Sequence, residues 1–187
     1  MSLRTAHERY GSVQIALHWT MLLLIAAVYA CIELRTGFPK GSAVREALKA
    51  WHFMLGMAVL ILATIRIVMH LTTANPPIHP APARWQAIAG KLMHLALYAF
   101  MIAMPLLGWL ALSSGAKTIP FFGIELPPLV DPDAGRASQF EEIHESIGKL
   151  GYFLVGFHAA AALVHHYLLR DDTLRRMLPR RWSRAGR

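Results

Sequence analysis

Acidic side chains are scarce in this chain: 11 Asp and Glu stand against 19 Lys and Arg in 187 residues, and charged residues make up only 16%. A soluble domain carries roughly a quarter, so a chain that is also 55% apolar falls outside that class. Cysteine is nearly absent. The single Cys31 excludes an internal disulfide framework and a thiolate metal cluster, and the lack of Cys-x-x-Cys-His excludes covalent c-type haem attachment. No internal repeat or low-complexity segment is present. The net charge of +8 would suggest nucleic acid in a soluble protein, but its distribution points to a membrane, and no nucleic-acid partner is expected.

What the chain does contain is four long apolar runs, at about 13–32, 51–71, 92–116 and 147–169, the last free of charge from Leu150. Arg66 is the one charged residue in the first three. Each run reaches the roughly 20 residues that cross a hydrocarbon core as a helix. The expected fold is an all-α integral membrane four-helix bundle, a single domain over 1–187. The first run has full membrane length and no small-residue cleavage pattern, so a removable secretory signal is not expected. Twelve Lys and Arg lie at the N-terminus, around the second connection and in the tail, against six in the first and third loops, with Lys149 at the start of the fourth run. By the positive-inside rule both termini should be cytoplasmic. The prolines between Asn75 and Pro82 predict an extended linker. Ser138-Gln139-Phe140-Glu141 has the form of a capping box, placing the start of the fourth helix near residue 139.

Ten histidines are many for so apolar a chain, and ionisable residues inside membrane helices are functional candidates by default. His144 and His158 are fourteen residues apart, about 21 Å along a helix and within about 40° of one face. One helix thus offers two imidazoles near opposite membrane faces. By depth, His18 pairs with His158 and His52 with His144. Imidazoles from facing helices, one on each side of a flat ring, are what a b-type haem needs, and bundle cores hold such cofactors. The expected cofactors are two haem b, with iron held by these four histidines. Gly56, Gly148, Gly151, Gly156 and Ala159 to Ala162 would give a porphyrin room, although small residues also serve tight helix packing.

His165 follows His158 by two turns, and His94 enters the third helix at a similar depth. They are candidates for a quinone pocket beneath the inner haem; His94 could instead displace His18 as ligand. His166 points elsewhere, and His79, His70 and His7 read as solvent-side or interfacial. Arg66 shares the face of His52 at the inner level and is a candidate partner for a haem propionate, or a snorkelling helix-end residue. Met54, Met57 and Met104 read as packing, and Trp19, Trp51 and Trp109 as interfacial anchors.

These residues resemble the bacterial cytochrome b561 proteins, four-helix di-haem membrane proteins. The likeness spans nearly the whole chain: Gln14-Ile15-Ala16-Leu17-His18-Trp19, Trp51-His52-Phe53-Met54-Leu55-Gly56, the region of His94, and most closely Leu150 through Tyr167. It implies ligand pairs His18 with His158 and His52 with His144, and supports a quinone site near His165 and His94. The segment Asp171 to Arg180 also looks like the tail of the family's stand-alone member, a superoxide oxidase. That likeness implies electron transfer from periplasmic superoxide to ubiquinone, which would make the chain an oxidoreductase whose other partners are membrane lipid and, possible in such families, a periplasmic redox protein. Superoxide is an anion, so a positive mouth would speed encounter. The first loop, with Arg35, Lys40, Arg45 and Lys49 against Glu33 and Glu46, is net +2, and Arg45 and Lys49 are the steering candidates. The third loop is net −4 over 113–146, so any funnel is local. Residues that do the chemistry itself are not identified by sequence.

The same haem arrangement serves anchor subunits of periplasmic dehydrogenases and hydrogenases, which is the alternative function. A histidine-based metal or proton transporter is less consistent, because the charge-free runs lack the carboxylates such transporters use.

Overall fold

The computed structural model describes residues 9–73 and 76–178. Arg4, His7, Asn75 and the arginines beyond Leu178 lie outside the described residues. Four helices make up most of the described residues: α1 (Ser12–Leu34), α2 (Ala43–Thr72), α3 (Arg84–Ser114) and α4 (Ala134–Tyr167). All four are long and apolar enough to cross a membrane. Even α1, at 23 residues, extends about 35 Å, more than the roughly 30 Å hydrocarbon thickness.

The helix starts follow from local chemistry. Gln14 reaches back to accept the Gly11 amide at 3.0 Å, and Gln86 accepts the Ala83 amide at 2.9 Å just past the proline linker. Ser42 caps α2 by accepting the Arg45 amide at 3.4 Å. The α4 start differs from the sequence expectation: Asp133 caps it, accepting the Arg136 amide at 2.9 Å, so the helix begins five residues before 139. Asp133 is the stronger cap because it stands where the chain is still extended, whereas Ser138 is already within the helix.

Between α3 and α4 lies a two-residue hairpin not foreseen from sequence. Its strands β1 (Pro120–Phe121) and β2 (Ile124–Glu125) are antiparallel. Phe122 and Gly123 both have positive φ, 45° and 92°, the pairing that tight primed turns require. The hairpin packs on α2 near its start, with the Phe122 amide donating to the Met54 sulfur at 3.3 Å.

At the opposite end, α4 stops at Tyr167 and the chain turns back through Arg170, at φ 56°. The segment from Asp171 to Leu178 then crosses the end of the bundle. Trp19 donates to the Met177 carbonyl at 2.8 Å, Arg9 to the Arg175 carbonyl at 2.6 Å, and Arg176 to the Pro76 carbonyl. The Arg176 guanidinium also lies over the Tyr10 ring, 5.4 Å from its centre. These contacts define a tail end and a hairpin end of the molecule.

Along the bundle, α1 packs on α2, α2 on α3 and α3 on α4, while α4 does not pack its backbone closely on α1 or α2. The buried apolar cluster is small, comprising Met21, Val59, Ala63 and Met101. Leu23, Leu71, Leu95, Leu150, Phe153 and Phe157 are each more than 60% exposed. In water such an apolar surface would drive aggregation; in lipid it is the matched outer face. Side chains, not backbone, span the space between α4 and the α1–α2 pair.

Candidate functional site

Two groups of histidines cross that space. Near the hairpin end the rings of His52 (α2) and His144 (α4) have centres 6.1 Å apart. Near the tail end His18 (α1) and His158 (α4) are 6.2 Å apart. The depth pairing argued from sequence is therefore the pairing of neighbours in space. His94 (α3) joins the second group, its ring 5.6 Å from His158.

The residues present fit a b-type haem at both levels. An iron bound by two imidazoles at roughly 2 Å each has ring centres about 6 Å apart, the separation found in both pairs. His52 donates from Nδ1 to the Val28 carbonyl at 3.0 Å, which leaves the Nε2 lone pair free; a ligating histidine is oriented by this kind of bond. Nδ1 of His144 is buried without a hydrogen-bond partner, the Met104 backbone lying near but outside bonding geometry. A buried polar atom left this way is costly unless the ring has another use. His52 and His144 share a cleft lined by Phe53, Gly56, Met57, Pro105, Gly108 and Trp109. A Cβ on Gly56 would meet nothing within 4 Å, so open space lies beside His52.

The small residues divide into two kinds. Gly56 and Gly156 face open space, as a porphyrin edge would need. Gly151 instead lets helices touch: a Cβ there would collide with the Tyr29 hydroxyl and the Phe100 ring. Gly148 serves the same contact, its carbonyl accepting the Tyr29 hydroxyl at 2.7 Å. Gly108 was not singled out in the sequence, yet a Cβ on it would stand 3.3 Å from Cε1 of His144. The signal lay in its neighbours, since Gly108 and Pro105 are one turn apart on α3. Replacing Gly108 by valine is expected to push the His144 ring aside and lower haem retention at that level, read as a reduced Soret band per protein.

Arg66 lies near His18, His94 and His158, close enough to act on all three electrostatically, and donates to the Gln14 carbonyl at 3.4 Å. It is thus the cation of the tail-end group, where a propionate would need one. His165 is not in ring contact with the other histidines; its Nδ1 is 2.5 Å from Asp171 Oδ2. Arg45 is held by the carbonyls of Arg35 and Phe38, at 3.2 and 2.9 Å. Lys49 pairs with Glu46 at 2.8 Å, so its charge is largely offset. Among the described residues no cluster of three or more His, Cys, Asp or Glu is arranged to hold a bare metal ion.

A membrane four-helix bundle with histidine pairs spaced for iron across its interior is an intramembrane electron-transfer cytochrome. Residues 9–180 match the family described as prokaryotic cytochrome b561, and the chain belongs to that family, which binds b-type haem. Cytochrome b561 homolog 1 of Escherichia coli is 40% identical over 174 residues, covering 93% of this chain and 99% of the relative. A Yersinia pestis protein named probable superoxide oxidase CybB is 34% identical over 94% of this chain and 98% of its own length. Cytochrome b561 homolog 2 of Escherichia coli is 27% identical over the full length of both.

Proposed function

We propose that this cytochrome is a superoxide:ubiquinone oxidoreductase carrying two haem b groups, set in the bacterial inner membrane with its tail end cytoplasmic and its hairpin end periplasmic. The observation that carries it is the presence of two imidazole pairs, 6.1 and 6.2 Å between ring centres, at two levels of one helix. His52 with His144, and His18 with His158, would hold the two groups. Bound b-type haem supplies a one-electron couple at each level. A one-electron donor and a two-electron acceptor then balance: two superoxide anions each give up one electron to become dioxygen, and one quinone takes two electrons and two protons to become quinol.

His94 and His165 are the candidate residues of the quinone pocket. Arg66 would offset negative charge beside it, whether from a propionate or from the reduced head group. At the hairpin end the steering role falls mainly to Arg45, because Lys49 is paired with Glu46. The name of the Yersinia relative supports superoxide as donor.

Superoxide mixed rapidly with the purified, oxidised protein is expected to reduce the haem bands, and added ubiquinone to reoxidise them. Haem bands that ignore superoxide would overturn this reading in favour of an anchor subunit fed by a periplasmic partner.

A further inference from the structure

Among the described residues a single acidic side chain is buried. Asp171 is 6% exposed, and the chemistry so far assigned makes no use of it. It sits where the chain folds back over the tail end. Its Oδ2 meets His165 Nδ1 at 2.5 Å, its Oδ1 accepts the Thr173 amide at 2.9 Å, and its own amide donates to the His165 carbonyl at 3.1 Å. Burial opposes its charge, but the hydrogen bonds from His165 and Thr173 outweigh burial and hold the carboxyl below its ordinary range. The neighbouring Asp172 does a different job. Its Oδ1 accepts the His79 amide at 2.9 Å and lies 3.6 Å from Arg176 Nε, so it pins the tail to the proline linker.

A carboxylate on Nδ1 orients an imidazole, fixes which nitrogen keeps its proton, and stabilises the ring when it is cationic. With Nδ1 committed to Asp171, Nε2 is the nitrogen left to exchange a proton. Building on the quinone reading above, we propose that Asp171 is the positioning residue that makes His165 the proton donor to the quinone. The quinone gains two electrons originating from superoxide and two protons. The Nε2–H bond of cationic His165 breaks as an O–H bond forms on the head group, leaving neutral His165 with Nδ1–H on Asp171. Water at the tail end returns the proton to Nε2, and a second passage by the same route supplies the second proton of the quinol.

The other ionisable groups at this end are Arg170, Asp172, Arg175 and Arg176 on the tail, His158, His166 and Tyr167 on α4, His79 in the linker, Arg66 and His70 on α2, Arg84, Lys91, His94 and Tyr98 on α3, His18 on α1, and Arg9 and Tyr10 before it. Asp171 is the one whose carboxylate touches an imidazole.

The test compares wild type, Asp171→Asn and Asp172→Asn as haem-loaded proteins, with superoxide as donor and ubiquinone-1 as acceptor. Asp171→Asn is expected to form quinol about tenfold more slowly near pH 8 and at nearly the wild-type rate near pH 5.5, where solvent protons suffice. Its haem content and its reduction by superoxide stay at wild-type levels. Asp172→Asn keeps the wild-type pH profile. In the resting protein, proton spectra should show a strongly downfield His165 Nδ1–H that Asp171→Asn abolishes. An unchanged pH profile in Asp171→Asn, or the same altered profile in Asp172→Asn, would overturn the proposal while leaving quinone as acceptor. No quinol from the wild type would overturn both.

Discussion

His158→Ala is expected to halve the b-type haem content, from the two groups per chain proposed above to one, read by pyridine haemochrome against protein concentration. His158 stands between His18 and His94, at 6.2 and 5.6 Å, so its loss removes the shared imidazole from whichever partner ligates. His18→Ala should halve the content in the same way. His94→Ala should leave it unchanged and slow quinol formation. The reverse result for these two would make His94 the ligand. His144→Ala removes the group at the hairpin end instead, and the double variant His144→Ala with His158→Ala should carry none. Because the helix facing this space is tied across it by side chains and not by backbone packing, a bound group also supports the fold. A ligand present at about 100 times its Kd stabilises by roughly 2.7 kcal/mol, so each single variant that loses a haem should lose about 5–10 °C in Tm.

The second large effect is expected at Gly151→Val. There is no room for a Cβ between the Tyr29 hydroxyl and the Phe100 ring. Neither obstacle is a loose chain end: the Tyr29 hydroxyl is bonded to the Gly148 carbonyl at 2.7 Å, and the Phe100 ring packs against the buried apolar cluster. Inserting a branched side chain should cost at the upper end of the roughly 1–3 kcal/mol seen for overpacking. It should separate α1 and α3 from α4 and reduce the yield of folded protein in detergent. Gly90→Val, on α3 and outside the haem cradle, is the comparison. Nothing lies within 4 Å of a Cβ there, so its melting temperature should stay close to wild type; equal losses at the two positions would refute the packing argument.

Much of the architecture was legible because hydrocarbon imposes a simple rule. A backbone in lipid must satisfy its own hydrogen bonds, so charge-poor runs of this length become helices, and four were readable. The histidine pairs were legible for a related reason: the spacing of His144 and His158 on one helix and the alternation of helix direction fix their depths. The α4 start was misplaced because two serviceable caps, Asp133 and Ser138, stand five residues apart, and only the path of the preceding loop selects the first. The hairpin was missed because its turn puts a phenylalanine, Phe122, in a left-handed conformation, which local sequence preference disfavours. It is held by its neighbours on α2, including the Met54 sulfur.

By itself, then, the sequence determined a four-span membrane bundle with imidazoles at two depths, since length, hydropathy and helical periodicity are local properties. The tertiary structure decided that His94 joins His18 beside His158, that Gly151 serves packing while Gly56 opens space, and that the tail returns to set Asp171 against His165. Each of these depends on how helices remote in sequence are rotated and spaced against one another, and rotation and spacing arise only when the faces meet.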